Sequence, residues 1–209
     1  MSAVQFPEYI FDKAERIIRS GGLVIVPTET FYAIAADPRN ESAVRRIFLL
    51  KGREDSKPIP LIAADRSLVE RNTYAGRRVS RVLMDSFWPG SLTIVLHPTL
   101  TFASQVMGKD GKIGVRVPPW CAARILACRV GGWITATSAN LSGQPSSDTC
   151  ARIAVSIREG ADLVMDLGPS PGGEPSSVVE PYNGSFRIIR EGIIRESAIR
   201  TCLERSNVA

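Results

Sequence analysis

Short apolar runs alternate irregularly with amphipathic segments along this chain of 209 residues. The runs have the length and composition of buried strands, whereas the longer segments repeat their apolar residues at helical spacing. The predicted strands are 23–26, 59–64, 91–97, 113–117, 133–136, 163–167, 177–179 and 186–190, and the predicted helices are 9–19, 40–50, 65–71, 77–87, 118–128, 148–157 and 196–205. Residues 99–112 show no period and are predicted to form a flexible loop. The irregular alternation predicts a mixed α/β sheet.

The composition favours one domain without a membrane span. Hydrophobic residues make up 44% of the chain, which is enough for a single core. No apolar run approaches the roughly 20 residues of a membrane helix, so the expected location is the cytoplasm. The four cysteines and the single histidine, His97, lack ligand-like spacing, which argues against structural zinc and a disulfide scaffold. A cysteine or serine nucleophile partnered by His97 stays open as an alternative.

Three cations follow the predicted helix over 40–50. Lys51, Arg53 and Lys57 lie within seven residues, directly before Pro58 and the next predicted strand. At the C-terminal end of a helix such cations are expected to be exposed, where they either suit the helix dipole or face an anionic ligand. The net charge of +5 and the arginines concentrated between positions 39 and 81 favour an anionic partner, either a nucleotide or RNA.

Polar side chains also follow two of the predicted strands. Thr28 and Thr30 come just after the first strand, and Ser138 and Asn140 come just after the strand over 133–136. Hydroxyls, an amide and free backbone N–H groups at a strand end can bind an anion, although an ordinary polar turn has the same composition.

Six short motifs occur in order along the chain. They are Pro27-Thr-Glu-Thr-Phe-Tyr32, Lys51-Gly-Arg53 with Lys57-Pro58, Trp88-Pro-Gly90, Gly114-Val-Arg-Val-Pro118, Ser138-Ala-Asn140 and Arg190-Glu-Gly192. With these motifs the chain resembles the Sua5/YrdC/YciO family, the threonylcarbamoyl-AMP synthases of tRNA modification. The resemblance implies a single YrdC-like domain over 1–209, with its core at about 9–195, in the short form that lacks the second domain of longer members. It also implies a twisted open sheet, flanked by helices, with a basic concave surface.

The resemblance implies an enzyme that joins L-threonine, bicarbonate and ATP into threonylcarbamoyl-AMP and releases pyrophosphate. Mg²⁺ would accompany the nucleotide rather than occupy a metal site of the protein. Partner proteins would transfer the threonylcarbamoyl group to adenosine 37 of tRNAs that read codons starting with A. The reaction needs positioning and positive charge rather than a nucleophile, because a carbamate oxygen attacks the α-phosphorus of ATP.

The resemblance further implies roles for individual residues. Lys51 and Arg53 would be the catalytic cations and would bind the ATP phosphates. The remaining nucleotide contacts would come from Ser138, Asn140, Ser146 and Arg190. The threonine ligand would contact Thr28, Tyr32, Arg116 and Ser177, and Arg116 would take its carboxylate bidentately.

Alternatives remain at this stage. Where the family usually continues as Tyr-Gly-Leu-Gly, this chain has Tyr32-Ala-Ile-Ala35, and the added methyl groups put the shape of the pocket in question. The basic residues also suit a non-catalytic module that binds double-stranded RNA or tRNA. A third reading is a related adenylylating enzyme, like the YrdC-like domain of hydrogenase-maturation carbamoyltransferases, which starts from carbamoyl phosphate.

Overall fold

A computed structural model describes residues 6–53, 57–74 and 78–206. The helices are α1 Glu8–Arg19, α2 Glu41–Lys51, α3 Arg66–Asn72, α4 Arg78–Phe87, α5 Ala122–Arg129, α6 Val155–Gly160 and α7 Glu196–Arg205. The strands are β1 Val24–Pro27, β2 Tyr32–Ala35, β3 Leu61–Ala63, β4 Leu92–Leu96, β5 Ile113–Arg116, β6 Trp133–Thr135, β7 Thr137–Ser138, β8 Leu163–Val164, β9 Ser177–Tyr182 and β10 Ser185–Arg190. Arg77, predicted as the first residue of α4, lies outside the described residues, as do residues 54–56 of the cation-rich stretch.

The strands form two mixed sheets. A six-stranded sheet has the order β10-β9-β4-β5-β3-β6, and a four-stranded sheet has the order β7-β2-β1-β8. The pairs β3–β5, β4–β9 and β1–β8 are parallel and the others are antiparallel. The predicted mixed α/β fold is confirmed. The chain passes from the larger sheet to the smaller one between β6 and β7, where the Ala136 N–H donates to the Pro60 carbonyl.

One face of the six-stranded sheet is covered by helices, and the other is open along β4, β5, β9 and β10 but packs against α5 at β3 and β6. Because strand residues alternate between faces, Leu92, Ile94, Val115 and Val179 point into the core. There they pack in one cluster with apolar residues of α4 and α7, such as Leu83 and Ile199. The alternate residues of the same strands face away from these helices and form the floor of a cavity.

The β1–β2 hairpin separates the two parts of the core. Val24, Val26 and Ala35 belong to a second cluster, with α1 and α5, whereas Ile25 and Ile34 belong to the first. This packing fixes the turn between β1 and β2 beside the open face of the larger sheet. In the described part of the chain, no helix combines the length and apolar character needed to cross a membrane.

Three predicted elements differ from the structure. Residues 99–112 are an ordered connection rather than a flexible loop, since Phe102, Ala103 and Val106 are buried in the core. The helix predicted from 118 begins only at Ala122. The helix predicted over 148–157 is a 3-10 turn, Cys150–Arg152, followed by α6, because Ile153 between them takes an extended conformation and inserts into the core.

Candidate active site

The open face of the larger sheet forms the floor of a cavity of about 510 Å³. The floor is built from alternate residues of four strands: Thr93 and Val95, Gly114 and Arg116, Val178 and Glu180, and Arg187 and Ile189. The walls are the β1–β2 turn, the segment that leads into β3, and the crossover into β7. The cavity therefore collects the ends of both sheets, and five of the six motifs in the sequence contribute to it.

Arg53 reaches the cavity because α2 ends in a left-handed turn. Gly52 has φ 56°, a conformation that glycine adopts without strain. The Arg53 guanidinium donates to the Lys57 carbonyl at 2.8 Å, the Pro58 carbonyl at 3.1 Å and the Thr137 hydroxyl at 3.3 Å. These partners are neutral, so no described residue compensates the charge, and burial lowers the pKa of Arg53.

Lys51 does not face the cavity, and its expected exposure is wrong. The residue is 3% exposed. Its ammonium donates to the Ser138 carbonyl, to the Asn140 carbonyl at 2.6 Å and to the Asn140 side-chain oxygen at 3.3 Å. Burial, and then repulsion from Arg53, lowers the pKa of Lys51 to about 8. The physical reason is that the last turn of α2 packs against the side of the loop after β7 that faces away from the cavity. Lys51 therefore stabilises that loop through its hydrogen bonds.

Strand β7 and the loop after it present two of their three predicted nucleotide ligands to the cavity. Ser138 lines the cavity, and its backbone pairs with Ala33 of β2. Asn140 lies behind the wall, where its side-chain amide donates to the Leu141 and Gln144 carbonyls. Ser146 lines the cavity on the same side. Ser138 and Ser146 are thus placed to contact a ligand, whereas Asn140 shapes the loop.

The β1–β2 turn supplies a small polar surface. The Thr28 hydroxyl accepts from the Thr30 N–H at 3.1 Å and donates to the Phe31 carbonyl at 2.8 Å, which closes the turn. Thr28 and Thr30 both line the cavity. Tyr32 lines it as well, but its hydroxyl donates to the Gly168 carbonyl at 2.6 Å. Burial, followed by repulsion from Asp166, raises the pKa of Tyr32 to about 12, so this hydroxyl is a structural donor.

Arg116 lies at the end of β5 and is paired with Glu29. Its Nε lies 2.8 Å from one carboxylate oxygen of Glu29, and its Nη2 lies 3.5 Å from the other. The side chains of Arg116 and Glu29 are 5% and 7% exposed. Arg116 also lines the cavity, so its buried guanidinium is paired with the Glu29 carboxylate on one side and borders the cavity on the other.

Ser177, predicted as a threonine ligand, faces away from the cavity. It is fully buried, and its hydroxyl donates to the Ile194 carbonyl at 2.6 Å and accepts from the Gly192 N–H at 3.0 Å. The reason is the two-residue period of a strand, which turns Ser176 toward the cavity instead. Ser176 shares a hydrogen bond of 3.1 Å with Thr93.

A β-bulge turns Arg190 into the cavity. The pairing of β9 with β10 shifts register between Ile188 and Arg190. Arg187, Ile189 and Arg190 can therefore all face the same side. Arg190 donates from Nη2 to the Ser176 carbonyl at 2.7 Å. It lies inside the concavity, where loss of hydration, and then repulsion from Arg116 and Arg53, lowers its pKa.

Charge is unevenly compensated within the cavity. Its described lining includes six cations and two carboxylates: Arg53, Lys57, Lys112, Arg116, Arg187 and Arg190, with Asp110 and Glu180. Glu180 accepts hydrogen bonds of 2.6 Å from both Lys112 and Arg187. Burial alone would raise the pKa of Glu180, but these hydrogen bonds outweigh it and lower the pKa. Arg53, Lys57 and Arg190 have no carboxylate partner among the described residues, whereas Lys112, Arg116 and Arg187 are paired. The uncompensated positive charge of the cavity therefore lies at these three residues.

Sequence reasoning missed several lining residues, namely Thr93, Lys112, Ser176, Glu180 and Arg187. Strand alternation could have predicted Ser176, because residues an odd number apart point to opposite faces of a strand and Val179 points into the core. Lys112 carried none, because it ends a stretch without periodicity. Neither cysteine nor histidine occurs among the described residues of the lining, so nothing there corresponds to a nucleophile partnered by His97.

The sequence profile of one family, Sua5/YciO/YrdC, described as "Telomere recombination", matches residues 16–192. The chain belongs to the Sua5/YciO/YrdC family. A family member from Idiomarina loihiensis, named threonylcarbamoyl-AMP synthase, is 34% identical over 166 residues, which cover 78% of this chain and 88% of that protein. The threonylcarbamoyl-AMP synthase of Bacillus subtilis is 31% identical over 91% of this chain and 56% of its own length.

A solved structure of this family shares the fold. Sua5 of P. abyssi, in complex with L-threonine, superposes with a TM-score of 0.88 at 29% identity and covers 95% of this chain. The chain spans 58% of the length of that Sua5 chain. The membership and the fold that the six motifs implied are confirmed.

Proposed function

We propose that this chain is an L-threonylcarbamoyladenylate synthase, which converts L-threonine, bicarbonate and ATP into threonylcarbamoyl-AMP and pyrophosphate. The observation that carries the proposal is the convergence of Arg53, Arg116 and Arg190 on one cavity with a set of hydroxyl groups. Among the described residues, no acceptor contacts Nη1 of Arg116 or Arg190. Guanidinium groups with open N–H edges suit phosphate and carboxylate oxygens. Relatives named threonylcarbamoyl-AMP synthase support the same reaction.

We assign the nucleotide to the part of the cavity with uncompensated positive charge. Arg53 and Arg190 would bind the phosphates of ATP, and the hydroxyls of Ser138 and Ser146 would complete the contacts. Lys51 and Asn140 would act through the loop that they hold rather than by touching the phosphates. This assignment keeps Arg53 as the catalytic cation and changes the role of Lys51 to a positioning residue.

We assign the amino acid to Arg116 and the β1–β2 turn. Arg116 would bind the α-carboxylate, and the adjacent hydroxyls of Thr28 and Thr30 offer hydrogen-bonding groups for the rest of threonine. Tyr32 would contribute its buried ring to the wall, since its hydroxyl is occupied. Ser176, which lines the cavity, takes the position that sequence reasoning gave to Ser177.

The chemistry then requires two steps. The threonine amine attacks the carbon of bicarbonate, and loss of water leaves a carbamate. A carbamate oxygen attacks the α-phosphorus, the bond from that phosphorus to its bridging oxygen breaks, and pyrophosphate leaves with the electron pair. Negative charge grows on the phosphoryl oxygens and the leaving group, so Arg53 and Arg190 would stabilise the transition state most where the charge increases.

Magnesium would enter with the nucleotide. Over the described residues, no group of three or more histidine, cysteine, aspartate or glutamate side chains could hold a metal ion. The cavity instead offers cationic side chains, which suit the phosphates. The phosphate oxygens would themselves supply part of the coordination shell of Mg²⁺. The ion would neutralise phosphate charge, while the arginines orient the α-phosphoryl group.

We further propose that the product serves tRNA modification. Threonylcarbamoyl-AMP is an activated acyl donor, so a cytoplasmic transfer complex would pass its threonylcarbamoyl group to adenosine 37 of tRNA. Weak contact with tRNA or duplex RNA through basic residues outside the cavity is part of this proposal.

The test is threonine-dependent pyrophosphate release from ATP, with each substrate omitted in turn. The proposal expects release only when threonine and bicarbonate are both present. Release that requires carbamoyl phosphate instead would favour the hydrogenase-maturation type of reaction. RNA binding without any release under these conditions would favour the non-catalytic module.

A further inference from the structure

The ion pair between Glu29 and Arg116 is the least explained feature of the cavity wall. Glu29 occupies the middle of the β1–β2 turn, and Thr28 and Thr30 on either side line the cavity while Glu29 does not. Among the described residues, Arg116 is the one side chain that forms a hydrogen bond or ion pair with its carboxylate. A glutamate in this turn therefore acts on the site only through the arginine.

The pairing is made along the side of the guanidinium. The Glu29 carboxylate accepts hydrogen bonds from Nε and from one hydrogen of Nη2 of Arg116. The opposite edge, with both hydrogens of Nη1 and the second hydrogen of Nη2, has no acceptor among the described residues. Because the guanidinium is planar and rigid, fixing one edge fixes the direction of the other. Arg116 lines the cavity, so the free edge is the one available to a ligand.

A ligand is not expected to displace Glu29 from this pair. The Glu29 side chain is only 7% exposed, so a displaced carboxylate would lose its counter-ion without gaining water. Leaving one member of a buried ion pair uncompensated is strongly unfavourable. Simultaneous contact, with Glu29 on the side edge and a ligand on the free edge, avoids that loss.

We propose that Glu29 is a positioning residue that orients Arg116 so that its free N–H edge receives the α-carboxylate of the amino-acid substrate. The inference rests on the proposed function, because it assigns the carboxylate of that reaction. In this arrangement the protein holds Arg116 in its binding orientation before the substrate arrives, which reduces the ordering that binding requires. Glu29 itself touches no substrate atom.

The test compares Glu29→Gln with wild type in the pyrophosphate assay, with threonine and ATP varied separately. Glutamine keeps the size of glutamate, but its amide nitrogen is a donor that would face the Nη2 donor, so the guanidinium turns. Because small displacements of binding groups cost up to about 100-fold, we expect the KM for threonine to rise roughly 10- to 100-fold. The KM for ATP should change less than about 3-fold on the same grounds.

Two controls separate positioning from charge and from folding. Glu180→Gln removes the same charge from the cavity lining without contacting Arg116, and should not raise the KM for threonine relative to that for ATP. Glu29→Asp keeps the charge but is one methylene shorter, so it is used if Glu29→Gln does not fold. It should raise the KM for threonine in the same direction. Melting temperatures are measured on the same preparations.

A double-mutant cycle with Arg116→Gln decides the route of action. If Glu29 acts through Arg116, adding Glu29→Gln to Arg116→Gln should change the KM for threonine by less than about 2-fold, since the coupled effect is already lost. Additive effects, or an unchanged KM for threonine in Glu29→Gln, would overturn the inference while the proposed function stands. A wild-type protein without threonine-dependent pyrophosphate release would overturn both.

Discussion

Replacing Lys51 by methionine tests the role that the structure gives to this residue. Methionine fills a similar volume but cannot donate, so the carbonyls of Ser138 and Asn140 and the Asn140 side-chain oxygen lose their shared partner. The Ser138 carbonyl keeps the Asn140 N–H as a donor, so the two acceptors on Asn140 are the ones left without a partner among the described residues. An unsatisfied buried acceptor costs about 1–3 kcal/mol, or roughly 4 kcal/mol for two. Methionine also removes the cost of burying an ammonium group, which partly offsets this loss. The shift of the Lys51 pKa from 10.5 to about 8 puts that cost at about 3 kcal/mol.

The net expectation at pH 7 is a loss of about 1 kcal/mol in the free energy of unfolding. For a chain of this size, that loss lowers the melting temperature by roughly 2–4 °C. The loop that carries Ser138 would also lose its support, so pyrophosphate release should fall. Arg53→Gln is the matched variant. It should melt near the wild-type temperature and lose roughly 30- to 1000-fold in rate, because it removes a cation that faces the cavity.

The pH dependence gives a second, independent readout. The pKa of Lys51 is lower in the folded chain than its ordinary value of 10.5, so the unfolded chain binds more protons between about pH 8 and 10.5. The contribution of Lys51 to the free energy of unfolding therefore rises with pH in this window. The raised pKa values of Cys121, Cys128 and Cys150 act in the opposite direction, but they do so in wild type and variant alike. The Lys51 contribution is roughly 1.5 kcal/mol between pH 8 and 9.5, below the range in which tyrosines titrate.

Chemical denaturation of wild type and Lys51→Met at pH 7, 8 and 9.5 measures both effects. We expect the stability difference between the two proteins to grow with pH. Equal stability and equal pH slopes, combined with a loss of activity, would show that Lys51 is a phosphate ligand rather than a buried support. Such a result would refute the reasoning.

Three further predictions concern specificity, the neighbouring serines and RNA. Serine should replace threonine poorly, by about 10- to 200-fold in kcat/KM, and equal rates would show that Ala33 has reshaped the pocket that it lines. Ser176→Ala should reduce activity with little change in melting temperature. Ser177→Ala should lower the melting temperature by several degrees, because the backbone N–H groups of Gly192 and Ile194 lose their acceptor. The opposite pattern would restore Ser177 as the predicted threonine ligand. Binding of tRNA, followed by fluorescence anisotropy, should weaken steeply between about 50 and 200 mM salt. It should also weaken in the double variant Arg78→Gln and Arg81→Gln, and binding insensitive to salt would contradict the electrostatic basis.

Local sequence determined most of the elements and the family, although it did not predict β2 and β7. Apolar runs followed by polar residues marked most strands, because a buried strand must end where polar groups can be satisfied. Asn40 was predictable as the residue that caps α2, since its side chain can accept from the N–H of Ala43. The order of the motifs was enough to indicate the family, and charge alone indicated an anionic ligand.

Tertiary structure decided which way the motif residues face. Lys51 and Arg53 are two residues apart, yet the left-handed Gly52 and the loop after β7 bury one and turn the other to the cavity. Ser176 and Ser177 are adjacent, and only the register of β9 in its sheet decides which one faces a ligand. The pairing of Glu29 with Arg116 joins positions 87 residues apart. A sequence fixes the chemistry of each side chain, but its partner depends on long-range packing, and that partner decides whether the side chain binds a ligand or supports the fold.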